Sequence, residues 1–172
     1  MAAAPATRSE HVVFDLGANR LLAHALRGGG LYVDAGSAGL VKYLRFGGGP
    51  RPWQRGQERD GVRCAVPPAT TSMMLPLSAE QAASAAEITV RVHAPRADHL
   101  RLSIGGKTLG ERALAAGWQT VTIPVAAGRL HAGTDELELH RRDSIAIAWL
   151  QVGGDAGGGA PRWADGALHL PA

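Results

Sequence analysis

Apolar and polar side chains alternate strictly through the second half of the chain. In residues 118–125, Val121, Ile123 and Val125 fall on one face and Thr120 and Thr122 on the other, the two-residue period of a half-buried strand. Residues 130–139 pass through a polar corner at Gly133, Thr134 and Asp135, after which Glu136 and Glu138 alternate with Leu137 and Leu139. The run 144–152 is apolar on both faces, which predicts a central strand in a sheet covered on both sides. Residues 87–92 and 99–104 repeat the alternation, and Gly105-Gly106 supplies a turn toward Thr108 and Leu109. This pattern predicts an all-β protein, an antiparallel β-sandwich. Its core positions include Val33, Val90, Val92, Leu102, Ile104, Val121, Ile123, Leu137, Leu139, Ile147 and Trp149, with Trp118 also in the core.

The first half is less regular. Residues 11–16 read as a short strand, and 19–27 fit either two helical turns capped by Asn19 or an extended segment. Residues 31–34 and 40–46 are expected to form a hairpin through 35–39. From Gly47 to Gly61 runs the longest polar interruption, expected to be a loop. Residues 62–66 and 71–77 are strands around Pro67-Pro68. Residues 78–86 form a short helix in which Ser78 caps and Gln81 occupies the capping-box position. The sum is about eight or nine strands of jelly-roll type, with short helices near 19–26 and 78–86. Residues 1–10 are expected to be a disordered tail and 11–153 one domain. Residues 154–172 are expected to be a Gly-rich linker and the start of a following domain, because 162–172 regain strand-like character with no partner left in the sequence.

A family resemblance rests on three of these segments: Gly117-Trp118-x-Thr120-Val121, the corner Leu130-x-x-Gly133-Thr134-Asp135-x-Leu137-x-Leu139, and Ile147-Ala148-Trp149-Leu150-Gln151-Val152. Together they resemble the last strands of galactose-binding-like jelly rolls, common accessory modules of carbohydrate-active enzymes. With residues 29–37 and Asp60-Gly61-Val62-Arg63, the stretch 11–153 looks more narrowly like the non-catalytic region ahead of the catalytic domain in some bacterial sulfatases. The resemblance implies a jelly roll, a catalytic neighbour in the same polypeptide and an extracytoplasmic location. It carries over no catalytic residue.

Composition agrees with a turn-rich β-protein: 19% of residues are charged, against 23 Gly and 10 Pro in 172 residues. A net charge of +3, from 18 basic and 15 acidic residues, is spread over the chain rather than gathered in the stripe a nucleic-acid binder shows. No apolar run approaches membrane-spanning length, and the start of the chain lacks the features of a signal peptide. Neither nucleic acid nor membrane is therefore an expected partner. The lone Cys64 excludes an intrachain disulfide. It stands in Cys64-Ala65-Val66-Pro67-Pro68, which departs from the Cys-x-Pro-Ser-Arg signature of the sulfatase nucleophile, so it reads as a small buried strand residue facing the core.

Catalytic signals are absent from the sequence. Gly105-Gly106-Lys107-Thr108 lacks the earlier glycine of a phosphate-binding loop, there is no Gly-x-Ser-x-Gly elbow, and Glu136 and Glu138 share one strand face. His93 and His99 flank one turn without further metal ligands. A structural calcium ion of the kind jelly rolls hold would draw on carboxylates such as Asp34, Asp60 or Asp143. The strongest binding signal is the segment around Trp53, where Arg51, Arg55, Glu58 and Asp60, with Gln54 and Gln57, combine an aromatic ring with groups that fix sugar hydroxyls. If that segment binds a glycan, Trp53 should be open to solvent beside Arg51 or Arg55. The leading expectation is a non-catalytic carbohydrate-binding accessory module; the alternatives are a purely structural interdomain module and, third, a stand-alone enzyme.

Overall fold

A computed structural model describes residues 23–25, 30–36, 40, 43, 44, 53–68, 70–153, 162–164 and 167–169. The expectations placed on residues 1–10 and 11–16, on Arg51 and on the linker at 154–160 lie outside the described residues. Two antiparallel sheets face each other. The larger holds β1 (Ala23–Ala25), β2 (Leu31–Asp34), β3 (Gln54–Arg59), β4 (Val62–Val66), β6 (Glu87–Ala94), β9 (Gly117–Pro124) and β11 (Ala146–Val152). The smaller runs β5 (Thr70–Leu77), β10 (Gly133–His140), β7 (Asp98–Ile104), β8 (Lys107–Leu114).

β11 is the hub of the larger sheet, as its two apolar faces predict, and every one of its residues is buried. One edge pairs with β6. The other carries β2 at Trp149–Val152 and β4 through Ile147 and Ala65. Trp149 is a buried core residue as expected, but its cluster lies outside the space between the sheets. The β6–β11 register shifts between Ile147 and Trp149, so that Ile147 lies opposite Val92 but Trp149 lies opposite Arg91. Trp149 thereby leaves the inter-sheet core for the outer face, where it packs with Tyr32 and Ala148 at 8% exposure, against half-buried Val62 and Trp118. Both tryptophans assigned to the core belong to this second layer. Val33, Val90, Val92, Leu102, Ile123, Leu137, Leu139 and Ile147 are in the main core, and Ile104 and Val121 pack against it half-buried.

Two further expectations change, and one open alternative is decided. β2 has both edges occupied, by β1 and β11, in place of the expected hairpin; of residues 40–46 those described are Leu40 and Tyr43, in 3₁₀ turns, and Leu44, which bridges Met73 of the other sheet. Within 19–27 the described residues, Ala23–Ala25, form a strand, the extended one of the two readings. Of the polar stretch ending at Gly61, the described part holds a strand, Gln54–Arg59. Asp60 and Gly61 both have positive φ, 52° and 76°, the two-residue turn that Asp-Gly favours, and β3 pairs back onto β4 through it. Near the end of the chain, β12 (Arg162–Ala164) and β13 (Ala167–His169) pair with each other, supplying the partner that 162–172 lacked on paper. α1 (Ala79–Ser84) carries the full capping box: Ser78 Oγ accepts from the Gln81 amide and Gln81 Oε1 accepts from the Ser78 amide. Gln81 also donates to the Gly30 carbonyl at 3.1 Å, tying the helix to the start of β2.

Candidate functional site

The β3–β4 hairpin is an arm. It joins the larger sheet at Ala65 and curls over that sheet's outer face, where three contacts seat it. Trp118 Nε1 donates to the Arg59 carbonyl at 3.1 Å, His93 Nε2 lies 3.5 Å from Asp60 Oδ2, and Val62 packs on the Tyr32–Trp149 layer. Cys64 and Val66 of the arm pack with Ala146 of β11, and burial pushes the Cys64 thiol pKa up. Cys64 is thus a buried strand residue, facing this outer layer rather than the inter-sheet core.

On its other side the arm borders a shallow depression of about 490 Å³ lined by Gly36, Arg55, Gly56, Gln57, Glu58 and Arg63. Two glycines shape it. A Cβ on Gly36 would sit 2.7 Å from the Arg63 carbonyl oxygen, so only glycine lets the turn after β2 approach β4 this closely. The Asp34 carboxylate holds that turn by accepting from the Gly36 amide at 2.9 Å. Gly56, at φ 64°, occupies the register shift between Gln54 and Gln57, a bulge of the kind that re-aims neighbouring side chains. Gln57 Nε2 donates to the Arg55 carbonyl at 3.3 Å, and Glu58 stands opposite Arg63 across the hairpin. The depression thus offers guanidinium and amide donors beside carboxylate and carbonyl acceptors, the set that fixes hydroxyls or a carboxylate.

Of the residues singled out in the sequence, Arg55 and Glu58 line this depression. Asp60 is at the hairpin tip beside His93, outside the lining. Trp53 is the clear correction. It is 8% exposed, packs in the main core and donates its Nε1 hydrogen to Thr71 Oγ1 at 2.7 Å, so it presents no open ring face for stacking. Its place at the root of the arm makes it an anchor. Trp53→Phe should cost about 1 kcal/mol for the lost hydrogen bond, a fall of roughly 2–4 °C in melting temperature by calorimetry. Gly36, Gly56 and Arg63 were missed as lining residues; reading Asp60-Gly61 as a hairpin turn would have set Arg63 opposite Glu58.

The carboxylates suggested for calcium have separate partners: Asp34 the Gly36 amide, Asp60 His93, and Asp143 the guanidinium of Arg96. Among the described residues no group of three His, Cys, Asp or Glu is placed to hold a metal ion. A second polar constellation lies on the outer face of the smaller sheet. Ser72 donates to Glu136 and Ser103 to Glu138, both at 2.6 Å, and His140 Nε2 lies 2.8 Å from Ser103 Oγ and 3.3 Å from Glu138 Oε2. This is not a nucleophilic relay. Ser103 is 3% exposed, and hydroxyl and carboxylate meet the same imidazole nitrogen instead of opposite ones.

No protein family and no curated protein matches the chain. Solved structures do match, and what they share with the chain is the fold, a jelly-roll β-sandwich. The chain is similar to a family 6 carbohydrate-binding module from Clostridium stercorarium in complex with cellobiose, with TM-score 0.52 and 15% identity over 72% of this chain and 93% of that one. It is also similar to a family 36 module of a multidomain xylanase from the hindgut metagenome of Trinervitermes trinervoides (TM-score 0.51, 17% identity, 74% of this chain and 98% of that one). A further family 6 module gives TM-score 0.51 at 10% identity, covering 76% and 95%. Identities this low make the likeness one of fold.

Proposed function

We propose that the chain is a non-catalytic accessory module that binds carbohydrate through the depression beside the β3–β4 arm. It would serve a sulfatase-like or other carbohydrate-active enzyme joined to it in the same polypeptide, with residues 11–153 as the folding unit. The observation that carries this reading is the convergence of Arg55, Gln57, Glu58 and Arg63 around one depression, on a fold shared with modules solved with or attached to carbohydrate machinery. With Trp53 buried, the sugar is held by its hydroxyls rather than stacked on a ring, so affinity is low. Arg55 and Arg63 donate, Glu58 accepts, and Gln57 does either. A likeness to sulfatase-associated regions supports the narrower parent, and the xylanase origin of one similar module supports the broader one. An extracytoplasmic location belongs to the sulfatase reading.

Titration with neutral and acidic oligosaccharides at millimolar concentration, followed by nuclear magnetic resonance, tests the site. Arg63→Ala should weaken binding about tenfold, roughly 1.4 kcal/mol, with the melting temperature unchanged because Arg63 is exposed. If no glycan shifts the resonances of residues 55–63, the module is an interdomain spacer, the reading that the burial of Trp53 favours.

A further inference from the structure

The outer face of the larger sheet carries a second arrangement, beyond the arm. β6 sends Ile88, Val90 and Val92 into the core and turns Thr89, Arg91 and His93 outward. Arg91 lies between Trp149 on β11 and Thr120 on β9, and Thr89 lies opposite Thr122. The Arg91 guanidinium is held in place from two directions. Its carbon is 5.7 Å from the centroid of the Trp118 ring, and Nη1 donates to Thr120 Oγ1 at 3.4 Å. Trp118 is itself fixed, by its bond to the Arg59 carbonyl and by the edge-on His93 ring at 5.3 Å. Among the described residues no carboxylate forms an ion pair with Arg91.

We propose that Arg91, with Thr89, Thr120 and Thr122, forms a second subsite that takes the oxyanion of an acidic polysaccharide, either a sulfate ester or a carboxylate. Nη1 is taken by Thr120, which leaves the Nε and Nη2 edge, the same edge with which Arg96 holds Asp143. That edge presents two parallel donors matched to an oxyanion, and ring stacking orients it before any ligand arrives. One row away, about 7 Å along the strands, the Thr89 and Thr122 hydroxyls lie 3.1 Å apart. Two hydroxyls share one hydrogen bond between them, so one proton remains to donate and lone pairs remain to accept. An anionic group on Arg91 with a sugar hydroxyl at the threonine pair satisfies both rows. Arg91, with Arg112 donating to the Thr122 carbonyl at 2.9 Å beside the neighbouring row, makes a sparse cationic surface that suits a sparsely charged glycan better than a phosphate backbone, whose binders carry a stripe of basic residues.

The subsite does not depend on the arm depression, and the test separates them. The whole chain is titrated calorimetrically, at low and moderate salt, with a heparin-derived hexasaccharide, a hexagalacturonate, cellohexaose and a thymidine oligonucleotide. At least one acidic glycan should bind, more weakly as salt rises, and the sulfated and uronic arms tell which oxyanion is preferred. Arg91→Lys keeps the charge but loses the planar fork and should weaken that binding at least tenfold, with Thr122→Val giving a smaller loss. Lys107→Ala, which removes an exposed cation from the smaller sheet, should leave it unchanged. Failure of both acidic glycans to bind, equal binding of cellohexaose, tighter binding of the oligonucleotide, or wild-type affinity in Arg91→Lys would each overturn the proposal. Loss of neutral-sugar binding at the arm would not touch it.

Discussion

Leu139→Ala is expected to destabilise the protein by about 3 kcal/mol, with a range of about 2–5 kcal/mol for buried leucines. Leu139 is fully buried in β10, which is itself held between β5 and β7, with Thr71 and Leu102 opposite it. Neighbours on three strands and the facing sheet cannot all close on the space a leucine leaves, so the cavity cost adds to the lost burial. Val121→Ala, half-buried on β9, should cost about 1 kcal/mol by the same reasoning, because solvent already reaches part of the site. Urea denaturation of both variants measures the difference. A loss below about 1 kcal/mol for Leu139 would show that the inter-sheet core is looser than its burial implies.

The sandwich was legible because its later strands carry a period of two and their turns carry glycine, two local signals that need no knowledge of the partner strand. Ser78 and Gln81 gave the helix for the same reason: both halves of a capping box lie within four residues. What could not be read was which face a residue takes once a register shift intervenes. Trp149 sits in an unbroken apolar run, and only its pairing with Arg91 reveals that it has turned outward. Trp53 misled differently. Its polar neighbours Gln54, Arg55 and Gln57 are polar because β3 is an exposed edge strand, while Trp53 itself precedes that strand and roots the arm in the core. Edge-strand polarity and binding-loop polarity look alike in sequence. Arg55 and Glu58 line the depression from one strand, whereas Gly36 is brought there by a contact across the sheet that no local pattern records. The Arg91 constellation was invisible for that reason too: its members come from β6 and β9, joined only by register.

Asp98→Ala should cost about 2–3 kcal/mol, and the loss should depend on pH. Asp98 opens β7 at 6% exposure, and its carboxylate accepts from the amides of His99 at 2.7 Å, Asp143 at 2.9 Å and Arg142 at 3.4 Å. It thereby clamps the start of β7 to the turn that follows β10. Burial by itself raises the carboxyl pKa, but the three amide donors together outweigh it and hold the group below its ordinary value. The sign follows from that direction. A carboxylate lowered in the folded state contributes stability that is fully present above the unfolded value of about 3.9 and disappears as pH falls through the lower folded value. The gap between the wild type and Asp98→Asn, which cannot ionise, should accordingly be constant from pH 7 to about 5 and shrink below about 4. Asp143, also lowered, by its hydrogen bonds to Arg96, titrates in the same region in both proteins, so it cancels in the difference to the extent that the two sites are independent. Repeating the comparison in an Arg96→Ala background removes that second source. A gap that stays constant down to pH 2.5 would mean that the amides do not favour the ionised form, and that the clamp works by shape alone.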